Sequence, residues 1–202
     1  MRLLLALLLL LVPPAAKAAE SLASPDGRIV FTLDVDPDGR PFYTVAVDGR
    51  PVIAPSGLGF ILADAPKLER NFAIAGATRS RTDARWEQPW GERRFVTDRS
   101  NNMTVTLAET TRGKRQLFLD VRVFDDGLGF RFRFPAGFGK VRIVEELTQF
   151  SIATEGTAWW MPGGQWNRYE YLYNRTPVGG IGQAHTPLTI RLDTGLHLAL
   201  HE

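Results

Sequence analysis

Apolar residues recur at every second position over much of this chain, and the runs are punctuated by Asp-Gly turns. That pattern admits antiparallel strands and little else. Ile29, Phe31, Leu33 and Val35 alternate with Arg28, Val30, Thr32 and Asp34 between the turns Ser24-Pro25-Asp26-Gly27 and Asp36-Pro37-Asp38-Gly39. Tyr43, Val45 and Val47 repeat the alternation up to Asp48-Gly49, which predicts a hairpin meander. The clearest hairpin runs from Leu117, Leu119, Val121 and Val123 through Asp125-Asp126-Gly127 to Phe130, Phe132 and Phe134. Residues 55–82 combine turn residues with short apolar pairs and predict edge strands and loops. Ser100-Asn101-Asn102 reads as a turn ahead of a strand at Met103, Val105 and Leu107, and two strand patterns at 188–192 and 196–200 close the chain. Spaced strands with almost no helical period predict an all-β fold, a large antiparallel β-sandwich forming one domain over residues 19–202.

The first eighteen residues stand apart. Met1-Arg2, the apolar run Leu3 to Val12 and the small-x-small site Ala16-Lys17-Ala18 form the pattern of a secretory signal peptide, with cleavage expected after Ala18. The run is shorter than the roughly 20 residues that span a bilayer, and no later run approaches that length, so no membrane segment is expected. Cysteine is absent, which excludes disulfides and leaves an exported chain to be stabilised by its core alone. The pI of 9.1 suggests a basic protein. Removing Arg2 and Lys17 from the 24 basic residues balances them against the 22 acidic ones. Nucleic acid is therefore not an expected partner, since the arginines are dispersed rather than clustered.

The least strand-like stretch is Trp159 to Tyr173, WWMPGGQWNRYEYLY, which sets aromatic rings around a Pro-Gly-Gly break and one carboxylate, Glu170. Rings that stack on the C–H face of a pyranose, beside an acid that binds its hydroxyls, are the material of a sugar-binding surface; the same rings could equally form a packed core corner. Glu170 could accept from a sugar hydroxyl or give one oxygen to calcium. It could not hold calcium alone, because that ion takes about 6–8 oxygens. His185, in the Gly-rich loop before Thr186-Pro187, could bond a ligand or merely its own backbone. His197 and His201 have helical spacing on a strand pattern, which disfavours a shared metal. Asp125-Asp126 and Glu145-Glu146 are adjacent strand residues facing opposite ways, so neither pair can flank a glycosidic bond, and no catalytic residue is predicted.

Several segments in register, SPDGRIVFTLDVDPDGRPFYTVAVDGRPVI, RWEQPWGERR, RVFDDGLGFRFRFP, WWMPGG, RYEYLY, HTPLT and LHLALHE, resemble the N-terminal domain of glycoside hydrolase family 97. That family includes bacterial α-glucosidases and α-galactosidases. The resemblance implies a mutarotase-like supersandwich that packs against a following TIM-type barrel, here missing, which carries the catalytic carboxylates and most calcium ligands. It implies an α-linked oligosaccharide and that C-terminal barrel as partners, and with the leader pattern an exported protein, periplasmic or secreted. By the same resemblance Glu170 is the candidate calcium ligand, with Glu202 second, and Ala184, His185, Thr186 and Trp166 are candidate substrate contacts. The chain ends flush with an apolar strand, so it is expected to be part of a longer protein and inactive alone. Two other readings are a stand-alone carbohydrate-binding module that stacks sugars on Trp159, Trp160 and Trp166, and an interaction domain with an exposed apolar face.

Overall fold

The computed structural model describes residues 19–201, so the expected signal peptide and Glu202 lie outside the described residues. Strands β1 (Glu20–Ala23), β2 (Ile29–Val35), β3 (Pro41–Val47) and β4 (Arg50–Gly57) form an antiparallel meander in that order, as the turns predict. A short strand β5 (Phe60–Leu62) follows. Then β6 (Phe72–Glu87), β7 (Phe95–Glu109), β8 (Gln116–Val123) and β9 (Leu128–Arg133) form a second antiparallel sheet, again in chain order. β10 (Ile143–Glu146) returns to pair with β5. The last sheet has the order β12-β11-β13-β14, built from β11 (Gly156–Trp160), β12 (Asn174–Pro177), β13 (Leu188–Leu192) and β14 (His197–Leu200). The only helical turn among the described residues is a 3-10 turn at Val178–Gly180. The molecule is thus an all-β sandwich.

Alternation places the core. On β2 the odd-numbered residues Ile29, Phe31 and Leu33 are buried, and on β7 and β8 Met103, Val105, Leu107, Leu117, Leu119 and Val121 face them from the second sheet. Rings lock the two layers together: Phe130 of β9 lies 5.1 Å from Tyr43 of β3 and 6.2 Å from Phe31, and Phe132 meets Phe60 edge-on at 4.7 Å. The fully buried rings Phe31, Tyr43 and Phe60 each contribute roughly 1.5–3 kcal/mol by leaving water, the half-buried Phe130 and Phe132 less. Ala158, Trp160, Ile190 and Leu192 belong to the same apolar cluster, so the last sheet shares the core rather than standing beside it.

One local expectation fails. Ser100-Asn101-Asn102 does not turn but continues β7, while the edge strand expected within residues 55–82 is β6, which runs unbroken from Phe72 to Glu87. Arg79 to Asp83 and Thr97 to Asn102 are polar on both faces, so periodicity gives no signal there. Side chains satisfy the polar groups instead. Arg122 on β8 donates to Asp98 at 2.5 and 2.6 Å and to the buried Ser100 hydroxyl at 2.9 Å, while Asn102 donates to Thr82 at 2.8 Å.

Candidate functional site

β11 delivers the chain into the aromatic segment, and the structure divides that segment sharply. Trp160 points into the core, with its indole N–H donating to the Thr176 hydroxyl at 3.0 Å and Gly182 close against its ring. Trp159 is half-buried, and Arg175 lies 5.7 Å over its ring. Trp166 is 97% exposed. Three tryptophans therefore do not make one stacking platform. Adjacent strand residues such as Trp159 and Trp160 face opposite ways, and only Trp166 lies beyond the strand. Nor do the rings of Arg168 to Tyr173 form a packed core corner: the segment is a loop in which Tyr169, Leu172 and Tyr173 are exposed.

A second loop, residues 181–187, supports the first. Pro162 and Ala184 form an isolated antiparallel bridge, the Gly163 N–H donates to the Gln183 carbonyl at 2.8 Å, and the His185 N–H donates to the Met161 carbonyl at 2.9 Å. A side chain on Gly163 would meet the Ala184 backbone at 3.1 Å, so glycine there permits the approach of the two loops. Tyr169 then reaches across. Its ring lies 4.8 Å from the His185 imidazole, and its hydroxyl donates to the Thr186 carbonyl at 2.5 Å. The structure thus brings Ala184, His185 and Thr186 together with the loop that carries Trp166 and Glu170. His185 Nε2 is buried without a hydrogen-bond partner, although the residue as a whole is half-buried.

Glu170 is exposed and makes no hydrogen bond or ion pair with the described residues. Its carboxylate is available as a single oxygen donor. No group of three or more His, Asp or Glu side chains suited to a metal occurs among the described residues, so Glu170 would need ligands from elsewhere. Shallow clefts of about 410 and 460 Å³ lie at Glu155, Arg175 and Asp193 and at Arg40, Glu69, Glu145 and Glu146; none of the sequence-predicted site residues lines either. What the sequence reading missed is the fastening role of Tyr169 and Met161. Met161 Sδ accepts from the Tyr171 N–H at 3.3 Å, and no spacing rule marks such contacts in advance.

Fold and site together define an antiparallel sandwich whose paired loops present an aromatic surface with one unpartnered carboxylate. The chain belongs to the glycosyl-hydrolase 97 N-terminal family, whose profile matches residues 22–202. A retaining alpha-galactosidase of Bacteroides thetaiotaomicron is 26% identical over 138 residues, 68% of this chain and 20% of that protein. A probable retaining alpha-galactosidase of Streptomyces bingchenggensis is 33% identical over 135 residues, 66% of this chain and again 20% of the relative. Among solved structures, a glycoside hydrolase family 97 enzyme of Pseudoalteromonas sp. strain K8 in complex with panose superposes with a TM-score of 0.83 and 37% identity, covering 88% of this chain and 27% of that one. A glycoside hydrolase family 97 enzyme of that strain in complex with acarbose superposes equally, with a TM-score of 0.83 and 37% identity. This chain therefore spans about a fifth of the curated relatives' length and about a quarter of the solved enzyme's.

Proposed function

We propose that this chain is the non-catalytic, substrate-facing sandwich of an exported α-glycosidase that acts on α-glucosides or α-galactosides. One observation carries the reading: the loop that exposes Trp166 and Glu170 is fastened to the loop of Ala184, His185 and Thr186 by Tyr169. An exposed ring offers a stacking face for a pyranose, and an exposed carboxylate offers an acceptor to its hydroxyls. The complexes of a family 97 enzyme with panose and acarbose support an α-linked oligosaccharide as the ligand class. Two carboxyls spanning a scissile bond are needed for hydrolysis. The paired loops offer only Glu170, so the acid and base are assigned to the remainder of a longer polypeptide.

Titrating the chain with panose while following tryptophan fluorescence tests the surface. Saturable quenching at about millimolar panose, lost in Trp166→Ala, is the expected result. Quenching indifferent to Trp166, or hydrolysis of a nitrophenyl α-glycoside by this chain, rejects the reading. Calcium fits the donor chemistry of Glu170 as one ligand among several, its role being to hold a charge and orient a hydroxyl. In the full-length enzyme Glu170→Gln should raise the calcium needed for half-maximal activity, and an unchanged chelator titration would remove Glu170 from that role. Export rests on the leader pattern at residues 1–18, and N-terminal sequencing of periplasmic protein should begin at Ala19.

A further inference from the structure

β6 is the outer strand of its sheet, and pairing of β7 with β8 stops at Asn101 and Val123. Beyond that point Thr82 to Glu87 and Phe95 to Ser100 continue as a two-stranded ribbon, with no strand on the outer edge of β6 among the described residues. A two-stranded ribbon is marginal in water, and an unpaired edge is a template for another strand. We infer that this edge pairs with the same edge of a second copy of the chain, around a two-fold axis at Ala84.

The charge pattern carries the inference. One face of the ribbon bears Arg81, Asp83, Arg85 and Glu87, all exposed. A two-fold axis normal to the sheet keeps each face on its own side. With the axis at Ala84, Arg81 lies opposite Glu87 of the second copy and Asp83 lies opposite its Arg85, each pair occurring twice. Every one of these cross-strand pairs joins opposite charges. Moving the axis one residue either way ruins the match. At Asp83 it opposes Asp83 to itself and Arg81 to Arg85; at Arg85 it opposes Arg85 to itself and Asp83 to Glu87. A row of a single sign would guard the edge against its own copy, whereas this alternating row selects one self-complementary register.

The opposite face agrees. There Trp86, 48% exposed, would lie across from Thr82 and diagonal to Ala84 of the second copy, so two indoles would cover a pair of small residues. The existing contacts of the charged row leave it available. Arg81 has no ion pair among the described residues, Arg85 rests over the Phe95 ring at 4.1 Å, and Glu87 accepts from Arg94 at 2.8 Å while remaining exposed.

Charge reversal tests the pairing without touching the core. Sedimentation velocity on the chain at about 100 µM should show a dimer that weakens on raising salt to about 0.5 M. Asp83→Arg or Arg85→Asp alone should weaken self-association about tenfold or more, because each reversal sets like charges opposite one another twice per dimer. Mixing the two single variants should restore a heterodimer, and the double variant should regain the homodimer. Circular dichroism identical to that of the unmodified chain keeps a folding defect from imitating the first result. A chain that stays monomeric, a dimer unaffected by Asp83→Arg, or reversed variants that do not recombine would each overturn the inference. A dimer held by the exposed aromatic loop at 166–173 would give the second of these outcomes.

Discussion

The ring of Tyr169 packs 4.8 Å from the imidazole of His185, and the same side chain donates its hydroxyl proton to the carbonyl of the next residue, Thr186. One tyrosine therefore ties both loops of the candidate site by a ring contact and a hydrogen bond.

Removing only the hydrogen bond should loosen the site and spare the fold. Tyr169→Phe is expected to cost about 0.5–1.5 kcal/mol locally. Faster amide exchange confined to residues 183–187, with an unchanged melting temperature, is the predicted signature. Exchange identical to the parent would show that the ring contact alone holds the loop.

Glu109 is buried at the end of β7, where Arg115 donates to its carboxylate through Nε at 2.7 Å and Nη2 at 2.6 Å. These hydrogen bonds lower its pKa, overcoming the opposing effect of burial. The unfolded chain, titrating near about 4.3, then binds more protons as the pH falls. The stabilisation is complete above that value and is lost as pH drops toward the folded pKa. Glu109→Gln should lower stability at neutral pH by about 2–3 kcal/mol and flatten the acid limb of a denaturation series run between about pH 5 and 3.

Two glycines with similar backbone angles should behave differently on substitution. Gly39 has φ +75°, and a Cβ there would stand 2.6 Å from Asn71 Cα, whereas Gly49, at φ +74°, has open space around it. Gly49→Ala should cost about 1 kcal/mol, the left-handed penalty alone. Gly39→Ala should cost about 2–4 kcal/mol because backbone must move as well. Equal losses in urea denaturation would refute the distinction.

Tyr43 is buried, and its hydroxyl donates to the Gln149 carbonyl at 2.7 Å, tying β3 to the segment that leads into the last sheet. Tyr43→Phe keeps the ring stack with Phe31 but leaves that carbonyl without its donor. A loss of about 1–2 kcal/mol in urea denaturation is expected, and no loss would mean that water replaces the hydroxyl.

Where the chain alternates cleanly it could be read directly. The strands at Ile29 to Val35 and Leu117 to Val123, and the Asp125-Asp126-Gly127 hairpin, appear where the pattern sets them. The continuation of β7 through Ser100 to Asn102 could not be read, because these residues look like a turn until Arg122 and a neighbouring strand are supplied. The site was half legible. Composition singled out Trp159 to Tyr173, and resemblance singled out Ala184 to Thr186, but neither distinguished the buried Trp160 from the exposed Trp166.

The sequence by itself determined the alternating strands, the Asp-Gly turns and family membership, because these depend on residues a few positions apart or on motifs in order. Only the tertiary structure decided which rings reach solvent, that Tyr169 fastens His185 to the aromatic loop, and that β6 leaves an edge without a neighbour among the described residues. Those outcomes depend on contacts between segments distant in the chain. Burial and edge exposure belong to the packed arrangement, and no local pattern encodes them.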